Sequence, residues 1–572
     1  MPNELNLFDY FDELSNDDGA GAHWAARSPL RPSDRFDIKL VPRAPGWKQD
    51  RGSLDALEKV EHEPWVANMV RGENGVQLRV EDDWIERVGA GLQDGDGGEQ
   101  GLADLAHGRR FSVQFWDANA TKALHVGHLR NLAIGNALAA ALAQAGAQVE
   151  RRSLISDAGR SMGEAMAGVM KSGRHAQAWP DKNEKSDHFV GCCYADYVSA
   201  GRQSPANGNG VAAHPEDSLT RELTMRDDDA DELLRRVLCG DRQALELWYK
   251  TRAWVIAGQR KTLQRLGIGF DRVFFESDFL ADAAELTASG LRDGLLRRRE
   301  DGVVIYPTER EDFDEFPLVR GDDLPTQHMR AMAYWMAAPG LEGMTSVQVC
   351  GSEWVSHVIC RRQLMGQLMA DGGKGMHPTS DIFHGMVSRQ KRAIASSEEG
   401  ALLIDELTEW LQAQIESDPA SDVVLRRLGS AERVAGQVAL GFFVPRPVAP
   451  RVDFHPEKLL DVRESPGWEL AHARSRQGRA DRSNGSSGAS GSTESRGELA
   501  QDPDYRFAVV QSQLHRRHLR LAVERLDPGP LGRYVVHLAR WYLERERSQP
   551  VARVAHTLLD RGARGLGLED AL

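Results

Sequence analysis

Two histidines frame a glycine in His125-Val-Gly127-His128, at the point where an apolar, alternating run, Phe111-Ser-Val-Gln-Phe-Trp116, gives way to an Ala/Leu-rich stretch that lasts to Gly146. Imidazoles and a glycine where a helix begins supply what a bound phosphate needs: N–H donors, the positive end of the helix dipole, and room for close backbone approach. The chemistry this pattern points to is activation by ATP. Four residues also have a plainer explanation, two histidines that merely cap a buried helix. The flanks favour the phosphate: strand, turn and helix form the opening unit of a doubly wound sheet, with the turn at the strand's carboxyl end, where such sheets bind ligands.

The elements that must hold this turn are spread along 572 residues, more than one hydrophobic core usually serves, so two to four domains are expected. With 41% hydrophobic and 27% charged residues the composition is that of a soluble globular protein, and no apolar run is long enough to span a bilayer, so no membrane partner is expected. Met1-Pro-Asn-Glu-Leu-Asn-Leu-Phe-Asp is acidic and lacks the basic start of a secretory signal, and a cytoplasmic location follows. Cys192, Cys193, Cys239, Cys350 and Cys360 have neither disulfide-framework nor zinc spacing and read as reduced packing thiols. A net charge of -14 excludes a protein that coats nucleic acid by bulk electrostatics and leaves room for a local basic face.

Residues 1–105 read as a small N-terminal α+β module, ending in the Gly/Asp-rich boundary Gln93 to Gly101. Residues 106–424 alternate strand and helix, an α/β pattern with a Rossmann-type, doubly wound parallel sheet, interrupted by an insertion at about 171–260. Inside it, Asn207 to Leu219 and the acidic run Asp227 to Glu232 have little to bury and read as solvated loop rather than a metal site. Residues 425–572 read as an all-α domain, with helices at Glu432 to Phe442, Tyr505 to Arg525, Leu531 to Glu546 and Pro550 to Leu559. A Ser/Gly-rich linker at about 478–502 is expected to be disordered.

Several ordered pieces extend the pattern: Asn119-Ala-Thr-Lys122-Ala-Leu-His125-Val-Gly-His128-Leu-Arg-Asn-Leu, Ile155-Ser-Asp157-Ala-Gly159, Leu266 to Asp271, Phe275 to Phe279, Phe316-Pro-Leu-Val-Arg320, Val349-Cys-Gly351-Ser-Glu353 and Gly385-Met-Val387. Together they resemble the arginyl-tRNA synthetases, a family of class I aminoacyl-tRNA synthetases, from about Leu57 to the C-terminus. The all-α part is similar to that family's anticodon-binding domain through Leu470-Ala-His-Ala-Arg474, Leu531-Gly-Arg-Tyr534 and Gly565-Leu-Gly-Leu. The resemblance implies a monomeric ligase that forms an aminoacyl-adenylate from ATP, with magnesium arriving on the ATP, no protein-held metal, and tRNA as acceptor. It implies that His125 and His128 contact the triphosphate, that Gly127 makes space for adenine, that Gly351 and Glu353 approach the nucleoside, and that Asn119 holds the α-amino end of the amino acid. The family's Lys-Met-Ser-Lys type loop overlays on Ile394 to Gly400, leaving Ser396 and Ser397 but neither lysine; Lys122, Lys391 and Arg392 are the cations that compensate.

The amino-acid pocket departs from the pattern. The family neutralises the substrate's guanidinium with a tyrosine and an acid one helical turn apart, which fall on Gln327 and Ala331, and with a second acid that falls on Gln114. A pocket without negative charge follows, and with it an amino acid other than arginine, because a buried charge left unpartnered costs about 3–5 kcal/mol. Arg330 reads either as a ligand contact or as a helix-surface arginine. Three functions compete: a tRNA ligase of shifted specificity, a divergent paralogue that passes its activated amino acid to a small molecule or peptide in a specialised biosynthetic pathway, and a non-catalytic tRNA-binding regulatory copy. A nucleotidylyltransferase shares the histidine turn but needs no helical C-terminal domain. The basic run His515-Arg516-Arg517-His518-Leu-Arg520 places Arg516, Arg517 and Arg520 as tRNA contacts, with Arg533 and Arg540 as further candidates.

Overall fold

The computed structural model describes residues 6–14, 24–28, 31–32, 36–42, 48–93, 101–174, 184–202, 229–308, 310, 314–370, 378–389, 392–393, 402–476 and 496–569. At its centre is a five-stranded, all-parallel sheet made of β5 (Arg110–Gln114), β6 (Gln148–Ile155), β7 (Arg272–Phe275), β11 (Thr345–Gly351) and β12 (Thr379–His384), in the order β12-β11-β5-β6-β7. The chain runs outward from β5 through β6 to β7, then returns to the other side of β5 for β11 and β12. This reversal makes the β5/β11 boundary a topological switch point, where a crevice opens beyond the strands' carboxyl ends. Phe111, Val113, Val347 and Val349 are fully buried, as strands covered by helices on both faces require.

Before this sheet, β1 (Trp24–Arg27), β2 (Ile38–Pro42), β3 (Val66–Gly72) and β4 (Gly75–Val80) form an antiparallel sheet ordered β1-β2-β4-β3, with helices Arg51–Glu61 and Asp82–Gln93 beside it. After it come the helices expected of the C-terminal region: Ala431–Gly441, Pro503–Arg525, Gly529–Leu543 and Gln549–Gly565. Leu531, Val535, Leu538, Val551, Leu558 and Leu559 are fully buried between them, the one-face periodicity that made these helices legible.

Four findings correct the sequence reading. The acidic run is not all solvated: Asp231 opens helix Asp229–Leu238 only 3% exposed and pairs with Arg160 at 2.7 Å and Arg320 at 3.2 Å, whereas Asn207 to Leu219 and Asp227 lie outside the described residues. Arg496–Leu499 is helical and helix Pro503–Arg525 starts directly after it, while 477–495 lie outside the described residues. All five cysteines are free, but Cys192 and Cys239 are exposed instead of packed. Finally, the β7-to-β11 connection carries an unsignalled antiparallel sheet of β8 (Arg297–Arg298), β9 (Val304–Pro307) and β10 (Glu315–Val319); two- to five-residue strands are too short for periodicity to reveal.

Candidate active site

Beyond β5 the chain passes through Asn119 and Lys122 into helix Val126–Gln144, and both histidines cap it. His125 is the N-cap: its Nδ1 accepts the Gly127 N–H at 3.1 Å, while His128 Nδ1 accepts the His125 N–H at 3.1 Å. The rings lie 3.9 Å apart at 38°. Each Nδ1 is thus an acceptor, which places the proton of the neutral ring on Nε2. Both rings stay neutral. Burial pushes His128 down to about 3, with help from the charge of Lys122, and burial followed by His128 and Lys122 pushes His125 well below the usual range. His125 Nε2, a buried N–H donor, has no hydrogen-bond partner among the described residues. An orphan donor at a helix N-terminus is costly unless something anionic comes to meet it.

Residues that the sequence reading did not single out hold this turn. Gln259, fully buried on helix Arg242–Arg265, donates Nε2 to the carbonyls of Asn119 (3.1 Å) and Lys122 (2.8 Å). Arg130, 1% exposed, donates to the carbonyls of Gly385, Pro447, Val448 and Pro450 at 2.7–2.9 Å, tying the helix to the end of β12 and to the loop that follows helix Ala431–Gly441. Asn131 donates to the Phe115 carbonyl at 3.1 Å and bonds His384 at 2.9 Å. Leu402 and Ile404 exchange backbone bonds with Val126 and Leu124, so this segment is stitched to the histidine turn. Lys391, Ser396 and Ser397 lie outside the described residues, and Arg392 stands on a two-residue strand.

Across the switch point, Gly351 ends β11 and Glu353 folds back over it: a Cβ on residue 351 would meet both Glu353 carboxylate oxygens at 2.2 Å. Burial raises the Glu353 carboxyl above its usual range. On the amino-acid side the expectation of an uncharged pocket fails. Asp117, three residues after Gln114 and open to the cleft, is an acid that the search for the family's two acidic positions passed over. It is heavily engaged: Gln114 Nε2 donates to both its oxygens at 2.9 Å, Gln348 Nε2 to one at 3.2 Å, and the Leu154 backbone N–H also serves it. Arg361 backs Gln348 at 2.8 Å. Desolvation by the surrounding protein lifts the Asp117 carboxyl above its usual range against those bonds, although the residue keeps access to solvent.

Gln114 Oε1 is left buried and without a partner among the described residues. Gln327 and Ala331 lie one turn apart at the start of helix Gln327–Ala337, the latter 6% exposed. Tyr334, on the same face, lies within electrostatic reach of Asp117. Arg330 is neither ligand contact nor surface arginine. It is 1% exposed and locked to Glu276 at 2.7 Å, which also accepts from Ser156 at 2.8 Å.

The basic run 515–520 is corrected too. Arg516 donates to the Gly101 carbonyl, Arg517 to that of Ala26 at 2.9 Å, and His515 is fully buried against Gln144 at 3.0 Å. Arg520 leans on Glu524 at 3.9 Å. Arg516 and Arg517 thus brace the N-terminal module. Elsewhere, Asp187, His188 and Asp405 converge within 4.8 Å, but Lys185 Nζ sits 3.0 Å from Asp187 and 2.6 Å from Asp405, so an ammonium already fills that pair.

Comparison with known proteins agrees with this geometry. Residues 58–187 match the family described as tRNA synthetases class I (R), catalytic domain. The arginine–tRNA ligase of Bacteroides thetaiotaomicron is 26% identical over 364 residues, 62% of this chain and 60% of that protein, and that of Borrelia hermsii is 31% identical over 218 residues, 38% and 34%. Residues 58–187 thus match the catalytic domain of that family, and the chain is similar to arginine–tRNA ligases. Its match spans about 60% of the length of the first curated arginine–tRNA ligases. In fold it is similar to the arginyl-tRNA synthetases of Thermus thermophilus (TM-score 0.65, 18% identity, 99% of this chain and 98% of that one) and Plasmodium falciparum (0.64, 13%, 99% and 98%). This fold pairs a Rossmann catalytic domain with a helical C-terminal domain, as seen here. No helix among the described residues is long and apolar enough to cross a membrane.

Proposed function

We propose that this protein activates an amino acid with ATP and transfers it to the 3′ end of a tRNA, and that the amino acid is not arginine. In the first step a carboxylate oxygen attacks the α-phosphorus, the bond to pyrophosphate breaks, and a mixed anhydride with AMP remains. Negative charge develops on phosphoryl oxygens, and preorganised donors lower that barrier most. The observation that carries the reading is His125 Nε2–H, buried, fixed in its tautomer by the Gly127 N–H and without a partner among the described residues. His128 and the positive charge of Lys122 stand beside it. Magnesium enters with the ATP phosphates.

The specificity claim rests on capacity. A guanidinium needs a carboxylate with two free acceptor positions, whereas Asp117 already accepts from Gln114, Gln348 and the Leu154 backbone, close to the roughly four positions an ionised carboxylate has. Gln114 Oε1, without a partner among the described residues, suits a neutral side-chain donor. ATP–pyrophosphate exchange across an amino-acid panel, run with and without total tRNA, tests both parts. Exchange with arginine alone overturns the specificity; absence of exchange with every amino acid, together with no ATP binding, overturns the activity and leaves the regulatory copy.

A further inference from the structure

We infer that the exposed face of helix Arg242–Arg265 is the track along which the single-stranded 3′ end of an RNA reaches the cleft, with Tyr249 as its stacking platform. This deepens the tRNA reading and rests on it. The helix carries Arg242, Lys250, Arg252, Arg260, Lys261 and Arg265 against one carboxylate, Glu246, in a chain whose net charge is -14. Two of these cations serve the fold: Arg252 pairs with Asp157 at 2.8 Å, and Arg265 with Glu409 and Glu432 at 3.0 and 3.2 Å. Arg242, Arg260 and Lys261 are exposed and make no side-chain bond to the described residues. Arg242 and Arg260 share one helical stripe with the exposed Glu246, Tyr249, Ala253 and Ala257, and Lys261 flanks it, so cations stand at both ends of a strip that holds a single carboxylate.

Tyr249 is 53% exposed, yet its inner side is braced. Its ring centroid lies 4.7 Å from that of Trp248, and the Arg252 guanidinium sits 5.1 Å from Tyr249, 4.5 Å from Trp248 and 4.3 Å from Phe275. Trp248 Nε1 and Arg252 both bond Asp157, which also accepts from Ser277 at 2.7 Å. Asp157 and Ser277 follow β6 and β7, so the braced ring stands at the carboxyl edge of the parallel sheet. Two to three turns further on, the same helix holds the turn of Asn119 and Lys122 through Gln259. A solvated helix has no use for a tyrosine braced against the Arg252–Asp157 pair. A base does, because every base has a π-face and aromatic stacking is sequence-tolerant.

The test uses the full chain and unfractionated tRNA, intact or trimmed of its single-stranded 3′ nucleotides, with ATP affinity measured in parallel. Tyr249→Ala is expected to weaken intact tRNA about tenfold, to leave trimmed tRNA unchanged, and to leave ATP affinity unchanged; Tyr249→Phe keeps native binding. Arg260→Glu with Lys261→Glu is expected to weaken tRNA and to reduce the slope of log affinity against log salt by roughly 1.4, about 0.7 for each single-strand phosphate contact. Native chain that binds tRNA while these variants bind it equally well overturns the track alone. Native chain that binds ATP but no tRNA overturns the tRNA reading and the track with it, while activation stands.

Discussion

His125 combines two jobs that one substitution can separate. As N-cap it accepts the Gly127 N–H, worth about 1 kcal/mol to the helix, and through Nε2 it presents the donor assigned to the triphosphate. Asparagine caps helices as well as any residue but cannot reach as far, so His125→Asn should keep the denaturation midpoint near native while pyrophosphate exchange falls about 100- to 1,000-fold, as for loss of one oxyanion donor. A loss of stability equal to that of His125→Ala, with exchange retained, would show that the ring is only a cap. The neutral state of its neighbour has a pH signature. His128 is held at about 3 when folded and has an ordinary value of 6.5 when unfolded. Its contribution is therefore complete above pH 6.5 and is lost as the pH falls from there toward 3, by up to about 1.4 kcal/mol per pH unit. Denaturant titrations at pH 7 and pH 5 should show a smaller loss for His128→Asn than for the native chain. Motif residues were legible here because their role is written into four adjacent positions. Asp117 was not, because its importance arises from Gln348, which is distant in the chain and adjacent only through the β5–β11 pairing.

Among elements, helix Arg242–Arg265 shows how much periodicity reveals and where it stops. Leu245, Trp248 and Leu263 mark a helix in the sequence, but nothing local says that Gln259, on its buried side, faces two carbonyls of the histidine-bearing turn. A polar residue on an apolar face reads as an exception until its partner is seen. Gln259→Leu leaves the Asn119 and Lys122 carbonyls buried without that donor, at about 1–3 kcal/mol of stability. Because these residues flank the proposed phosphate site, the variant should also raise the KM for ATP several-fold. A lowered Tm with unchanged KM would make Gln259 a packing residue with no say in substrate position. The same logic explains the misread basic run: Arg516 and Arg517 look like a nucleic-acid face in sequence, and they are consumed by carbonyls of a module more than 400 residues earlier.

At the scale of the molecule, that interface closes the chain on itself. Arg506, 1% exposed on helix Pro503–Arg525, donates to Asp37 through Nε at 3.0 Å and Nη2 at 2.6 Å, to Asp82, and to the carbonyl of Ala500 at 2.8 Å. Asp37, itself 4% exposed, also accepts the Val80 N–H at 2.9 Å, so one guanidinium fastens the four-stranded module to the C-terminal bundle. Removing one partner of such a pair leaves the other charged and buried, at about 3–5 kcal/mol, more than replacing both would cost. Arg506→Met is therefore expected to loosen the module before the rest, giving an early step in denaturant unfolding and faster proteolysis within residues 24–93. Asp37→Asn with Arg506→Met should recover part of that loss, since it removes the stranded charge. Pyrophosphate exchange should persist in both, because the site is built on the parallel sheet and its helices. If exchange collapses at denaturant concentrations where the bundle is still folded, the module is coupled to the site and does not merely rest against the bundle.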